Sequence, residues 1–135
     1  MAAQQTELHV EQVTSDATTD ATTDATVEFL TFRLVGDLDL STVDRLRSAV
    51  GGACGSGSEV RLDLSGVSFC DSTGVGTLVW LHRQATAVGG RLVLCAPRRH
   101  VREVLRISGV DRAIPVLGRN AVNQANRRAN PRPAG

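Results

Sequence analysis

Asp71-Ser72-Thr73-Gly74 is the segment of this 135-residue chain richest in chemistry. It follows an alternating stretch, in which Val60, Leu62 and Leu64 interleave with Arg61 and Asp63, and a short hydrophobic connector. Just after it, from about Gly74, the apolar residues fall at helical spacing. Asp71 and Ser72 thus place two oxygens where a helix has unpaired N–H groups and a partial positive charge. Two readings stand side by side. One is a helix cap followed by a glycine that permits close packing. The other holds Ser72 out as a phosphate acceptor, because a phosphate at a helix N-terminus meets N–H donors and a favourable dipole.

Catalytic readings of the same segment fail on spacing. A nucleophile elbow needs Gly two residues before the serine, and Cys70 is there. An aspartic-protease Asp-Thr-Gly lacks the extra residue found here and needs a second catalytic Asp in a comparable loop. Gly74-x-Gly76 has Val79 at the third glycine position of a dinucleotide fingerprint. The three histidines offer Ser72 no base: His9 falls on an exposed strand face, His82 on the polar side of a helix, and His100 among arginines. All fifteen basic residues are Arg, and with no Lys there is neither a Walker-type phosphate loop nor Schiff-base chemistry. Cys54, Cys70 and Cys95 are odd in number and widely spaced, so neither a disulfide framework nor a zinc site is expected. Cys70 and Cys95 read as small buried hydrophobes. No enzyme, metal or cofactor is expected.

The elements that must carry this loop can be read from periodicity. Leu8 and Val10 alternate with polar neighbours as a weak first strand. Leu30, Phe32 and Leu34 form a stronger one that ends at Gly36. Ser41 or Thr42 can cap a helix carrying Val43, Leu46, Val50 and Ala53, which the stretch GGACGSGS breaks. A third strand leads to the Asp71 loop and a helix with Leu78, Leu81, Ala85 and Val88 on one face, stopping at Gly89-Gly90. Residues 92–95 form a continuous apolar run, Pro97 opens a third helix that Gly109 stops, and residues 114–117 add a short strand. The order β-β-α-β-α-β-α-β predicts an α/β fold, a mixed β-sheet packed with α-helices.

Charge divides the chain further. Residues 1–26 hold five acids and no Arg, and residues 118–135 hold four Arg and no acid. The expected organisation is an N-terminal arm with the weak strand (1–13) and a flexible Asp/Ala/Thr repeat (14–26). A single domain core (27–117) and a disordered basic tail (118–135) follow. The net charge of +1 argues against direct nucleic-acid binding. No apolar run approaches the roughly 18 residues of a membrane span, and the first residues lack a secretory pattern. A reduced cytoplasmic setting is the default expectation.

Several segments, in order, resemble the STAS domain of anti-sigma factor antagonists. GDLDLSTVDRLR (36–47) looks like that family's Gly-acid-Leu-Asp turn and first helix. VRLDLSGVSFCDSTGVG (60–76) is similar to its hallmark strand and Asp-Ser-Ser/Thr-Gly loop. RLVLCAP and VREVLRISGVDRAIPV resemble its later strand, helix and closing segment. The likeness covers about residues 27–117 and, more weakly, 7–13.

The resemblance implies a single STAS-like domain that is a binding switch rather than an enzyme. Such a protein binds an anti-sigma factor, often a serine kinase of the histidine-kinase-like ATPase fold, and frees its sigma factor. The kinase phosphorylates the first hydroxyl residue after the loop Asp, here Ser72, and a PP2C-type phosphatase reverses it. By the same resemblance Asp39 lies near the acceptor loop, so Asp39, Asp71, Ser72, Thr73 and Gly74 are the expected partner-binding residues, with Thr73 a second hydroxyl beside the first. The alternative within the family is a constitutive module, such as a scaffold or transport accessory subunit.

Overall fold

The computed structural model describes residues 7–19 and 26–118. β1 (Leu8–Thr19) and β2 (Thr26–Leu38) form an antiparallel hairpin, followed by α1 (Val43–Cys54), β3 (Glu59–Cys70) and α2 (Ser72–Ala87). β4 (Arg91–Cys95), α3 (Arg99–Ser108), a 3-10 turn (Val110–Arg112) and β5 (Val116–Leu117) complete the chain order. The sheet runs β1-β2-β3-β4-β5, parallel at every step after the first pair. Parallel neighbours require crossovers, and crossovers of one hand in an unreversed strand order bring all helices to one face.

Alternation along the strands builds the core on that face. Leu34 and Leu38 of β2, Val60, Leu62 and Leu64 of β3, and Leu92 and Leu94 of β4 form one buried cluster with helix residues. Those are Leu46, Val50 and Cys54 of α1, Leu78, Leu81 and Ala85 of α2, and Val101 and Leu105 of α3. The opposite face mixes ion pairs with apolar residues: Arg33 pairs with buried Asp63 at 3.6 Å, Glu59 receives Arg61 and Arg91, Arg61 lies over the Phe29 ring, and Val93 and Cys95 of β4 are buried there.

The main departures from expectation are places where tertiary pairing overrides a local signal. The composition predicts flexibility throughout 14–26, whereas β1 continues through Thr19, opposite Thr26. The β-branched threonines suit a strand once a partner supplies the ladder. Residues 20–25, and the tail beyond Gly118, lie outside the described residues. Gly36 does not end its strand. It takes φ +129° next to a register shift in the β2–β3 pairing, and a Cβ there would stand 2.1 Å from the Glu7 carbonyl oxygen. α1 runs through Gly51-Gly52, with Gly51 turned toward the Trp80 ring of α2. β3 absorbs the connector and reaches Cys70, while the last strand shrinks to two residues. His82 is half-buried rather than on an open polar side, its Nδ1 without a partner among the described residues.

Candidate functional site

The end of β2 and the start of α2 are joined at Leu38. The Asp71 N–H donates to the Leu38 carbonyl at 3.2 Å. Gly74 is buried against the same residue: a Cβ there would come within 2.5 Å of the Leu38 carbonyl oxygen, 2.8 Å of its Cβ and 3.0 Å of Cys70 Sγ. Only a residue without a side chain lets the first turn of α2 approach this closely. The packing reading of Gly74 is therefore realised.

Asp71 is the cap. It is extended (φ −105°, ψ −172°), and its Oδ1 accepts from the Gly74 N–H at 3.0 Å. Ser72 is not a cap but the first residue of the helix. It is exposed, and its hydroxyl makes no hydrogen bond among the described residues. Half-buried Thr73 lends its carbonyl to the Thr77 hydroxyl at 3.0 Å. The cap and the packing are thus supplied by neighbours, and the Ser72 oxygen is left to solvent.

The turn after Leu38 flanks this loop. Asp39 is half-buried, and its Oδ1 accepts from the Ser41 N–H at 2.9 Å and the Ser41 hydroxyl at 2.6 Å. The Asp39 N–H donates to Thr42 Oγ1, which in turn donates to the Asp37 carbonyl at 2.7 Å. Thr42 occupies the cap position of α1 without capping it, because its hydroxyl braces the turn. The expected site residues thus fall on two segments fused at Leu38. Spacing gave no sign of Leu40, 77% exposed within the braced turn, or of Phe69, 48% exposed two residues before Asp71. The signal available for Leu40 was an apolar residue in a turn where no period called for one.

The three thiols, of which only Cys70 lies against the loop, are chemically quiet. Cys54, Cys70 and Cys95 are buried and free, and burial pushes each thiol up to about 11, above the range where thiolate forms near neutrality. Among the described residues no group of three or more His, Cys, Asp or Glu could hold a metal ion, and no helix is long and apolar enough to cross a membrane. A cavity of about 320 Å³ beside the Asp39 turn is lined by Glu7, Leu8, His9, Ser41, Thr42 and Arg45, and does not include Ser72.

The chain is similar to known proteins over most of its length. The STAS domain model matches residues 19–125. The anti-sigma F factor antagonist of Lysinibacillus sphaericus is 36% identical over 85 residues, covering 62% of this chain and 73% of that protein. BtrV of Bordetella bronchiseptica is 33% identical over 101 residues, 73% of this chain and 87% of its own. Among solved structures, the anti-sigma factor antagonist SpoIIAA in its unphosphorylated form matches with a TM-score of 0.62 at 26% identity, covering 90% of this chain and 96% of that one. The phosphorylated form of the Bacillus SpoIIAA matches at 0.58, again at 26% identity, over 90% and 100%.

Proposed function

We propose, from the premise that this chain belongs to the STAS domain family of anti-sigma factor antagonists, that it binds an anti-sigma factor and releases it when Ser72 is phosphorylated. The protein is a binding protein, not an enzyme, as in the relatives it matches. Its partner is a serine kinase of the histidine-kinase-like ATPase fold, and a PP2C-type phosphatase restores the unmodified form. The observation that carries the reading is the exposed Ser72 hydroxyl, unbonded within the described residues at the start of a sixteen-residue helix.

The chemistry follows from what surrounds that oxygen. Among the described residues no side chain bonds it as a base, so the visiting kinase must supply one. Once made, the phosphate adds roughly −1.5 to −2 charges beside the Asp71 carboxylate, on a loop flanked by the Asp39 turn. A docked partner would have to desolvate that dianion against carboxylates, while solvent and the helix N-terminus favour it in the free protein. Tenfold weaker binding needs only about 1.4 kcal/mol, so no refolding is required.

The test is to incubate the chain with the purified histidine-kinase-like serine kinases of its source organism and ATP, then locate phosphate by mass spectrometry. Phosphate on Ser72, with loss of kinase binding in the product, is the expected result. A Ser72→Asp variant that binds as wild type does would instead support the constitutive-module alternative.

A further inference from the structure

We infer that Leu40 and Phe69 are the apolar anchors by which this chain holds the anti-sigma factor, Ser72 serving only to gate that contact; the inference rests on the reading of Ser72 above. Five large hydrophobics stand exposed among the described residues: Val35, Leu40, Phe69, Val88 and Ile107. Val88 follows α2 and Ile107 lies on α3. Leu40 and Phe69 instead sit on the two segments that the Leu38–Asp71 bond fuses, Leu40 two residues beyond Leu38 and Phe69 two before Asp71. A kinase that reaches the Ser72 oxygen must therefore cover ground adjacent to both.

Neither side chain has a structural task that explains its position. Leu40 belongs to no core cluster, yet its turn is pinned on either side by the Asp39–Ser41 and Thr42–Asp37 bonds. An apolar group already fixed in place loses little freedom when a partner buries it. Phe69 pairs in register with Asp37, and strand alternation turns it away from its buried neighbour Cys70. An aromatic ring offers a partner a large apolar area to bury. Asp37, Asp39 and Asp71 lie around the pair, but Arg98 and His100 also reach Ser68 beside Phe69, so the rim carries both signs and it is an apolar patch, not a charged one, that fits this surface. A phosphate placed here adds to the Asp71 carboxylate and must be stripped of water beside two hydrocarbon side chains when a partner docks.

Calorimetric titration of the kinase that binds wild type most tightly tests the proposal. Leu40→Ala and Phe69→Ala should each weaken binding at least tenfold, with Leu40→Ala unfolding at the wild-type temperature. Val88→Ala and Ile107→Ala, equally exposed but remote in the chain, should stay within twofold. Leu40→Ala should still take phosphate on Ser72 when kinase is in large excess. Wild-type affinity in both anchor variants, while Ser72→Asp fails to bind, overturns the anchors and leaves the proposed function standing. Equal losses in all four variants also overturn them. Wild type that binds none of the kinases overturns both readings.

Discussion

Two serines of this chain sit beside an aspartate at the start of a helix, and only one has a free hydroxyl. In the turn before α1, Asp39 takes both the N–H and the hydroxyl of Ser41. In the loop before α2, Asp71 takes the N–H of Gly74 and ignores the hydroxyl of Ser72. The difference is one of offset: an aspartate two residues ahead of a serine folds back on it, whereas one immediately ahead reaches past it to the third residue. The first arrangement consumes the oxygen in structure, and the second leaves it for chemistry. Local composition is nearly the same in both places.

The largest expected effect that can break this contrast is on phosphate uptake. Ser72→Ala should abolish incorporation by the kinase while unfolding within about 0.5 kcal/mol of wild type in urea, since the residue is exposed and caps nothing. Ser41→Ala should still be modified, on Ser72. Phosphate appearing on Ser41 or Thr73 instead would erase the distinction. Gly74→Ala comes next: its Cβ would drive into the Leu38 backbone, and overpacking of this kind costs about 1–3 kcal/mol, read as a lower urea midpoint. Asp71→Ala should remove a cap for about 1 kcal/mol.

The least of these effects is an alkaline one, from the buried thiols. Burial raises Cys54, Cys70 and Cys95 from 9.0 to about 11, so the folded chain keeps their protons to higher pH than the unfolded chain does. Their contribution to stability is complete below about pH 9 and is lost as pH rises through about 11. Replacing Cys70 with Ala should flatten that decline in a pH series of urea melts, apart from any constant offset from the lost side-chain volume.

Much of the fold could be read in advance because its periods are distinct. Leu62 and Leu64 alternate, whereas Leu78, Leu81 and Ala85 recur at helical spacing, and both sets are buried as their pattern requires. What escaped was decided by contacts remote in sequence. Gly51-Gly52 looks like a helix stop, but α1 packs along α2, with Gly51 turned toward Trp80, and the helix continues. Gly36 looks like a strand end, yet it is where the strand shifts register beneath the Glu7 carbonyl. At the site, the Asp71–Gly74 segment and its helix were legible from residue types. Which oxygen would cap was not, because Asp71 and Ser72 offer the same chemistry until the backbone fixes their directions. Leu40 and Phe69 stayed hidden for a related reason: a hydrophobic residue announces burial, and only coordinates reveal that nothing buries it.

The bond from Asp71 to Leu38 and the close seat of Gly74 have a consequence in time rather than in space. A loop fastened to its neighbouring strand has no slow rearrangement to complete before or after a visitor arrives. If the hydroxyl is the gate, the lag between modification and release is set by how fast the complex comes apart, and the protein itself adds no delay.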